Sequence, residues 1–178
     1  MPPNMAACSF QGVVMLPNRK LPWPVIWPAV EEIARSEGCR LVAYRDIAGI
    51  WTIGWGHTRG VRAGDAITQE EADRRLLDEL HGFAEGVIER LTRPASAWQF
   101  GAMVSLAYNI GLAAFAGSSV LRAHNAGDFA AARRAFELWN KATIDGRKQV
   151  VAGLAARRAR EGALYARLGT TAVPPEVA

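Results

Sequence analysis

One run of the chain, CRLVAYRDIAGIWTIGWGHTRG at residues 39–60, constrains the fold more than any other. β-Branched and aromatic side chains are mixed there with glycines at 49, 54 and 56, a combination that suits short strands and tight turns rather than a long helix. Asp46 then falls on a turn and Thr52 on the strand after it. The rest of the chain reads helically. A helix is expected from about Trp27 or Pro28 to Gly38, with Ile33 facing the core. Thr68-Gln69-Glu70-Glu71 has capping-box spacing and precedes Ala72, Leu76, Leu77 and Leu80, which predicts a helix reaching as far as Leu91. Pro94 and Ser96 open another helix carrying Trp98, Phe100, Met103, Leu106 and Ala107, with Trp98, Phe100 and Met103 read as core. Asn109-Ile110-Gly111 marks its stop. Shorter helices are expected near residues 119–124 and 128–139, and a last one over 154–168.

The implied architecture is α+β. A small lobe of β-hairpin strands (residues 31–67) is joined by a connecting helix (68–91) to a larger, mainly helical lobe (92–168), with a cleft between them. Residues 1–26, broken by prolines and glycine, read as an N-terminal extension to a single domain spanning 27–170. Residues 171–178 read as a loose tail. The helix before the hairpin is expected to pack back onto the helical lobe.

Composition narrows the function classes. The chain has 178 residues, half of them apolar, with six tryptophans and only two cysteines, Cys8 and Cys39. That excludes intrinsic disorder and a disulfide-framework miniprotein. No run approaches the roughly 20 apolar residues that cross a bilayer. Residues 21–30 contain three prolines and run directly into Glu31 and Glu32, which makes a poor signal peptide. Charge is unevenly spread: residues 31–100 carry 9 basic and 12 acidic side chains, residues 131–170 carry 9 basic and 3 acidic. A basic C-terminal part suits a polyanion such as nucleic acid or the bacterial envelope, and suits a solvated helical face equally well. No P-loop or metal-ligand spacing is present.

Glu37, Asp46 and Thr52 have the sharpest chemical reading. Glu37 stands at a helix end, near Ala43 and Tyr44, which can shield its carboxyl from water. Asp46 lies beyond a short strand, so two carboxyl groups can face one another across a groove. Glycosidic cleavage needs such an asymmetric pair, one group donating a proton to the leaving oxygen and the other activating a nucleophile. Thr52 can hold that nucleophile, since a hydroxyl both donates and accepts. A helix-end glutamate, a turn aspartate and a strand threonine are also ordinary structural residues, and spacing alone does not separate the readings. His57 is read as bonding from its turn to a helix carboxylate, with Asp73 a possible partner. Trp51 and Trp55 should share one strand face, opposite Thr52.

The ordered set Glu37-Gly38-Cys39-Arg40-Leu41, Tyr44-Arg45-Asp46, Gly49 and Trp51-Thr52-Ile53-Gly54-Trp55-Gly56-His57-Thr58 resembles the active-site lobe of the phage-type lysozymes, the T4-like endolysins of glycoside hydrolase family 24. The resemblance continues through Tyr108-Asn109-Ile110-Gly111, Phe115, Ser118-Ser119, Phe136, Trp139 and GLAARRARE at residues 153–161, covering about residues 27–168. It implies a lysozyme-like fold and hydrolysis of the β-1,4 bond between N-acetylmuramic acid and N-acetylglucosamine in peptidoglycan. In that reading Glu37 is the general acid, while Asp46 and Thr52 direct a water to C1 with inversion. An inverting pair stands about 6.5–9.5 Å apart.

The resemblance implies no metal and no organic cofactor. Tyr44, Trp55, Tyr108 and Asn109 are candidate substrate-binding residues. The expected partner is peptidoglycan, together with anionic envelope components attracted by the basic helix of Arg157, Arg158 and Arg160. Action depends on a holin, which passes the protein from the host cytoplasm to the periplasm and wall. A monomer is expected and nucleic acid is not, while an unconventional membrane-targeting leader stays open. The competing functions are a lytic transglycosylase and a non-enzymatic basic protein that binds the wall or disrupts membranes.

Overall fold

A computed structural model describes residues 27–46, 49–144, 146–167 and 172–173. The N-terminal extension therefore lies outside the described residues, and so does Cys8, which a disulfide with Cys39 would need. Contacts gather Glu37–Asp78 into one compact unit; the described residues before Glu37 and those after Asp78 make the second. The two are a hairpin unit and a mainly helical unit, the α+β composition expected of a lysozyme-like chain. Among the described residues, no helix is long and apolar enough to cross a membrane.

The first helix, α1 (Trp27–Glu37), ends at Glu37 because Gly38 takes a φ of +68°, a left-handed conformation that costs a glycine nothing. Strands β1 (Arg40–Arg45) and β2 (Trp51–Gly54) pair antiparallel, with Tyr44 opposite Thr52 and Arg45 opposite Trp51, and an irregularity between Arg40 and Tyr44. The other edge of β1 is also covered. Val42 bridges Ala66, the Ala43 N–H donates to the Asp65 carbonyl at 2.8 Å, and the Ile67 N–H donates to the Leu41 carbonyl at 2.9 Å. Helix α2 (Gln69–Ile88) then starts on Thr68, whose Oγ1 accepts from the Glu71 N–H at 3.2 Å. The Glu71 carboxylate is held by Arg74 and Arg75, both on its own helix face.

The helical unit is built on α3 (Ala97–Ile110), which is packed against α7 (Ala152–Tyr165). Ser96 and Gln99 form a reciprocal capping box at its start, and Gly111 closes its end. Phe100, Met103 and Leu106 are fully buried. Each buried side chain of that size contributes about 1.5–3 kcal/mol. A single cap is worth about 1 kcal/mol, so the core rather than the cap holds α3 in place. Trp98, expected in the core, is instead half-buried with the Arg167 guanidinium 4.7 Å above its ring. Its position in the first helical turn keeps it from the fully buried middle of α3.

Beyond Gly111 the chain forms α4 (Leu112–Ala116), α5 (Ser119–Ala126) and α6 (Phe129–Ala135), the last two capped by the side chains of Ser118 and Asp128. A 3₁₀ turn (Phe136–Trp139) ends the helix expected to run unbroken to Trp139. Helix α4 was not foreseen, and neither was an antiparallel hairpin of β4 (Lys141–Ile144) and β5 (Arg147–Val150), with Lys141 opposite Val150 and Ile144 opposite Arg147. Within the tail expected to be loose, β6 (Ala172–Val173) pairs with β3 (Ala95–Ser96) beside the start of α3.

His124 of α5 is fully buried, its Nδ1 2.6 Å from the Tyr165 hydroxyl and its ring near those of Phe129 and Tyr165. Burial pushes the imidazole below its ordinary value, partly offset by the Arg93 backbone, and burial pushes the Tyr165 phenol up. The folded state thus prefers neutral His124, and below the unfolded value the unfolded chain binds the extra proton. Its stabilising contribution is therefore complete above about pH 6.5 and declines as pH falls further. The urea midpoint should drop between about pH 7 and pH 5, and His124→Gln should flatten that slope. A variant with the native pH slope would contradict the assignment.

Candidate active site

Glu37, Tyr44, Asp46, Thr52 and Trp55 all belong to the hairpin unit. Asp46 closes the hairpin by three hydrogen bonds. Its N–H donates to the Ile50 carbonyl at 3.0 Å, its carbonyl accepts from the Gly49 N–H at 2.9 Å, and its Oδ1 accepts from the Ile50 N–H at 2.8 Å. The Thr52 hydroxyl donates to that same Ile50 carbonyl at 3.1 Å, and Thr52 is buried. The Ile50 main chain therefore orients both side chains. The pairing register explains why they meet: Tyr44 opposite Thr52 and Asp46 opposite Ile50 place residues 44, 46, 50 and 52 on one face of the hairpin. The other face carries Arg45 and Trp51, with the guanidinium 4.6 Å from the Trp51 ring and Arg45 Nη1 donating to the Gly49 carbonyl at 2.6 Å. Tyr44 lies under the Arg40 guanidinium at 4.3 Å.

Glu37 comes to this hairpin through Gly56. A Cβ built on Gly56 would stand 3.6 Å from Glu37 Oε2, and Gly56 has a φ of +105°. The carboxyl thus lies directly against the backbone that follows β2, in a conformation only glycine adopts without strain.

The expectation that Trp51 and Trp55 share a strand face is corrected. The strand stops at Gly54, Ile53 and His57 bridge across a tight turn, and Trp55 leaves the pleat. Trp55 is 5 % exposed and its indole N–H donates to Asp73 Oδ1 at 2.7 Å, so it braces the turn and presents little surface to a ligand. Asp73 accepts from Trp55, the residue before the Gly56-His57-Thr58 turn. The same oxygen accepts from Gln69 Nε2 at 2.7 Å, while Gln69 Oε1 accepts from the Cys39 thiol at 3.8 Å. The His57 Nε2–H donates to the Arg59 carbonyl at 2.9 Å. Gln69 and Asp73 thereby tie down the two segments that flank Glu37, residues 38–39 and 55–56. Sequence reading passed over Gln69, although its place one turn before Asp73 on α2 was a usable signal.

Tyr108 and Asn109, the other substrate-binding candidates, belong to the helical unit. The Tyr108 hydroxyl donates to Glu79 at 3.1 Å and its ring leans on Phe83; Asn109 Oδ1 accepts from Arg158 at 3.0 Å. The basic face expected on α7 is also corrected. Arg157 and Arg158 are 4 % and 0 % exposed and converge on the fully buried Glu161, which also accepts from the Ser105 hydroxyl at 2.6 Å. Burial pushes the Glu161 carboxyl up, against the pull of Arg158, Ser105 and Arg157. Arg160 grips both oxygens of Glu32 on α1. Among the described residues, no group of three or more His, Cys, Asp or Glu is placed to hold a metal ion.

The phage lysozyme family model matches residues 34–161, a span that holds the hairpin, α2 and most of α7. The chain belongs to the phage lysozyme family. It is 39 % identical over 133 residues to the endolysin of Acyrthosiphon pisum secondary endosymbiont phage 1, covering 75 % of this chain and 91 % of that one. It is 40 % identical over 141 residues to the endolysin of Salmonella phage P22, covering 76 % and 93 %. Among solved structures it is similar to the muramidase domain of SpmX from Asticaccaulis excentricus, with a TM-score of 0.78 and 37 % identity over 82 % of this chain and 99 % of that one. An endolysin from Escherichia coli O157:H7 phage FAHEc1 gives 0.76 and 36 %, over 80 % and 92 %.

Removing the Asp73 carboxylate leaves the Trp55 N–H and the Gln69 amide without their acceptor in a buried place. Asp73→Ala should therefore cost about 1–3 kcal/mol in urea unfolding, and Asp73→Asn, which keeps an acceptor oxygen, clearly less. Equal losses for the two variants would contradict this role.

Proposed function

We propose that this phage lysozyme family member is an endolysin with muramidase activity, cleaving the β-1,4 bond from N-acetylmuramic acid to N-acetylglucosamine by an inverting acid–base mechanism. The observation that carries the reading is the shared anchoring of Asp46 and Thr52 on Ile50. Because the Thr52 proton goes to the Ile50 carbonyl, Thr52 Oγ1 meets any further hydrogen-bond partner as an acceptor. Because the Ile50 N–H donates to Asp46 Oδ1, the carboxylate is oriented by the hairpin's own main chain. A water bound between two such acceptors gives up its hydrogens to them and points a lone pair at C1 of the muramyl ring.

The reaction then balances in one step. The water oxygen bonds to C1, the C1–O4 bond breaks, Asp46 takes a water proton, and Glu37 gives its proton to O4 of the leaving glucosamine. The ring passes through an oxocarbenium-like state, which an ionised Asp46 stabilises. Retention of Asp46 and Thr52 together favours this hydrolysis over a lytic transglycosylase, which forms an anhydro ring and needs no water holder. The relatives named endolysins and a muramidase domain support the same substrate class. We place the action at the bacterial wall, reached from the host cytoplasm once a holin has opened the inner membrane, with the protein acting as a monomer.

Glu37→Gln should lower kcat for reducing-end release from purified peptidoglycan by about 10²–10⁴-fold with little change in KM, as loss of a general acid does. Thr52→Val should lower kcat by a smaller factor and Thr52→Ser should restore most of it. A Glu37→Gln protein within a few-fold of native would overturn the assignment.

A further inference from the structure

Arg45 stands next to Asp46 in sequence yet on the other face of the hairpin, and the mechanism above gives it no part. Its Nη1 donates to the Gly49 carbonyl at 2.6 Å, and its guanidinium lies 4.6 Å from the centre of the Trp51 ring. The Gly49 carbonyl and the Ile50 N–H belong to one peptide group. Such a group is planar and trans, so its oxygen and its hydrogen point in opposite directions. The hydrogen of this peptide goes to Asp46 Oδ1 at 2.8 Å. One peptide unit therefore joins a guanidinium on one face to the candidate catalytic carboxylate on the other. A cation hydrogen-bonded to a carbonyl draws electron density toward that oxygen and makes the N–H at the far end a stronger donor. The Trp51 ring, in contact with the cation, narrows the positions open to the guanidinium.

We propose that Arg45 is a positioning residue for the hydrolysis: through the Gly49–Ile50 peptide it fixes and strengthens the hydrogen bond that orients Asp46. This role rests on the muramidase reading, in which Asp46 takes the water proton. Arg45 does not meet the reacting atoms, because its guanidinium is committed to a carbonyl and a ring on the face away from Thr52. It is also exposed, so its replacement should leave the urea midpoint nearly unchanged and show in the rate instead.

The test compares the native full chain with Arg45→Met, Arg45→Lys and, as a control for lost surface charge, a change at the exposed Arg62, Arg62→Met. Reducing-end release from purified peptidoglycan gives kcat and KM, and the Ile50 amide proton shift, read by NMR on isotope-labelled protein, reports the bond to Asp46. Arg45→Met should lower kcat about five- to twentyfold, short of the roughly 100-fold that a misplacement of about 1 Å can cost, with KM within about twofold of native. The Ile50 amide proton should move upfield in that variant, as a weakened hydrogen bond requires. Arg45→Lys keeps a charged donor for the Gly49 carbonyl and should recover most of both effects, while Arg62→Met should match native kcat. With an active native protein, an Arg45→Met kcat within about twofold of it, or an unmoved Ile50 amide, would overturn this role and leave the muramidase reading intact. A raised KM at native kcat would make Arg45 a wall-binding cation and overturn the role as well. So would an equal fall in kcat for Arg62→Met, the mark of a general charge effect. A native protein that releases no reducing ends would defeat the muramidase reading, and the role of Arg45 with it.

Discussion

The candidate site depends on how Asp46 and Ile50 close the β1–β2 hairpin. Two main-chain bonds and one side-chain bond meet there, and they set the register that puts Tyr44 opposite Thr52. A one-residue slip would turn Thr52 to the opposite face, beside the Arg45–Trp51 stack. The carboxylate that the proposed mechanism uses is thus also one that closes the hairpin. The α2 network of Asp73 and Gln69 holds Trp55 and Cys39, and with them the backbone on both sides of Glu37. A rigid frame of this kind suits an enzyme that must present fixed acceptors to a water before substrate arrives.

The helical unit has a different organising centre. Glu161 has no exposure, yet its carboxylate is met by Arg157, Arg158 and Ser105, and Arg158 also reaches Asn109. Removing one member of such a cluster strands a charge away from water and costs about 3–5 kcal/mol, whereas exchanging the whole cluster for apolar side chains can be neutral. Its contribution is therefore to fix how α3 and α7 match more than to add net stability.

Much of this was legible because its causes are local. Helix starts announce themselves through a capping residue, as at Thr68, Ser96 and Asp128, and each caps its helix. The hairpin was legible from glycine and β-branched content, and the Asp46 turn with it. What escaped depends on partners distant in sequence. Arg157 and Glu161, four apart, look the same on a solvated helix as in a core, and only α3 decides between them. Trp55 looked like a strand residue until the turn at Gly54 carried it to Asp73. The β4–β5 hairpin has no buried face, so it leaves no alternation to read, and its charged residues blend into a basic helical stretch.

In the proposed mechanism, a water held by Asp46 and Thr52 attacks the face opposite the bond that Glu37 helps to break. The most direct measurement is proton NMR of the anomeric signals as fresh peptidoglycan fragments are cleaved, before mutarotation mixes them. Inversion at a β-linked muramyl carbon requires α-anomeric N-acetylmuramic acid at the new reducing ends first. A β-anomer first would mean two displacements through a covalent intermediate, and anhydro ends would mean that no water takes part; either result would contradict the role given to Asp46 and Thr52.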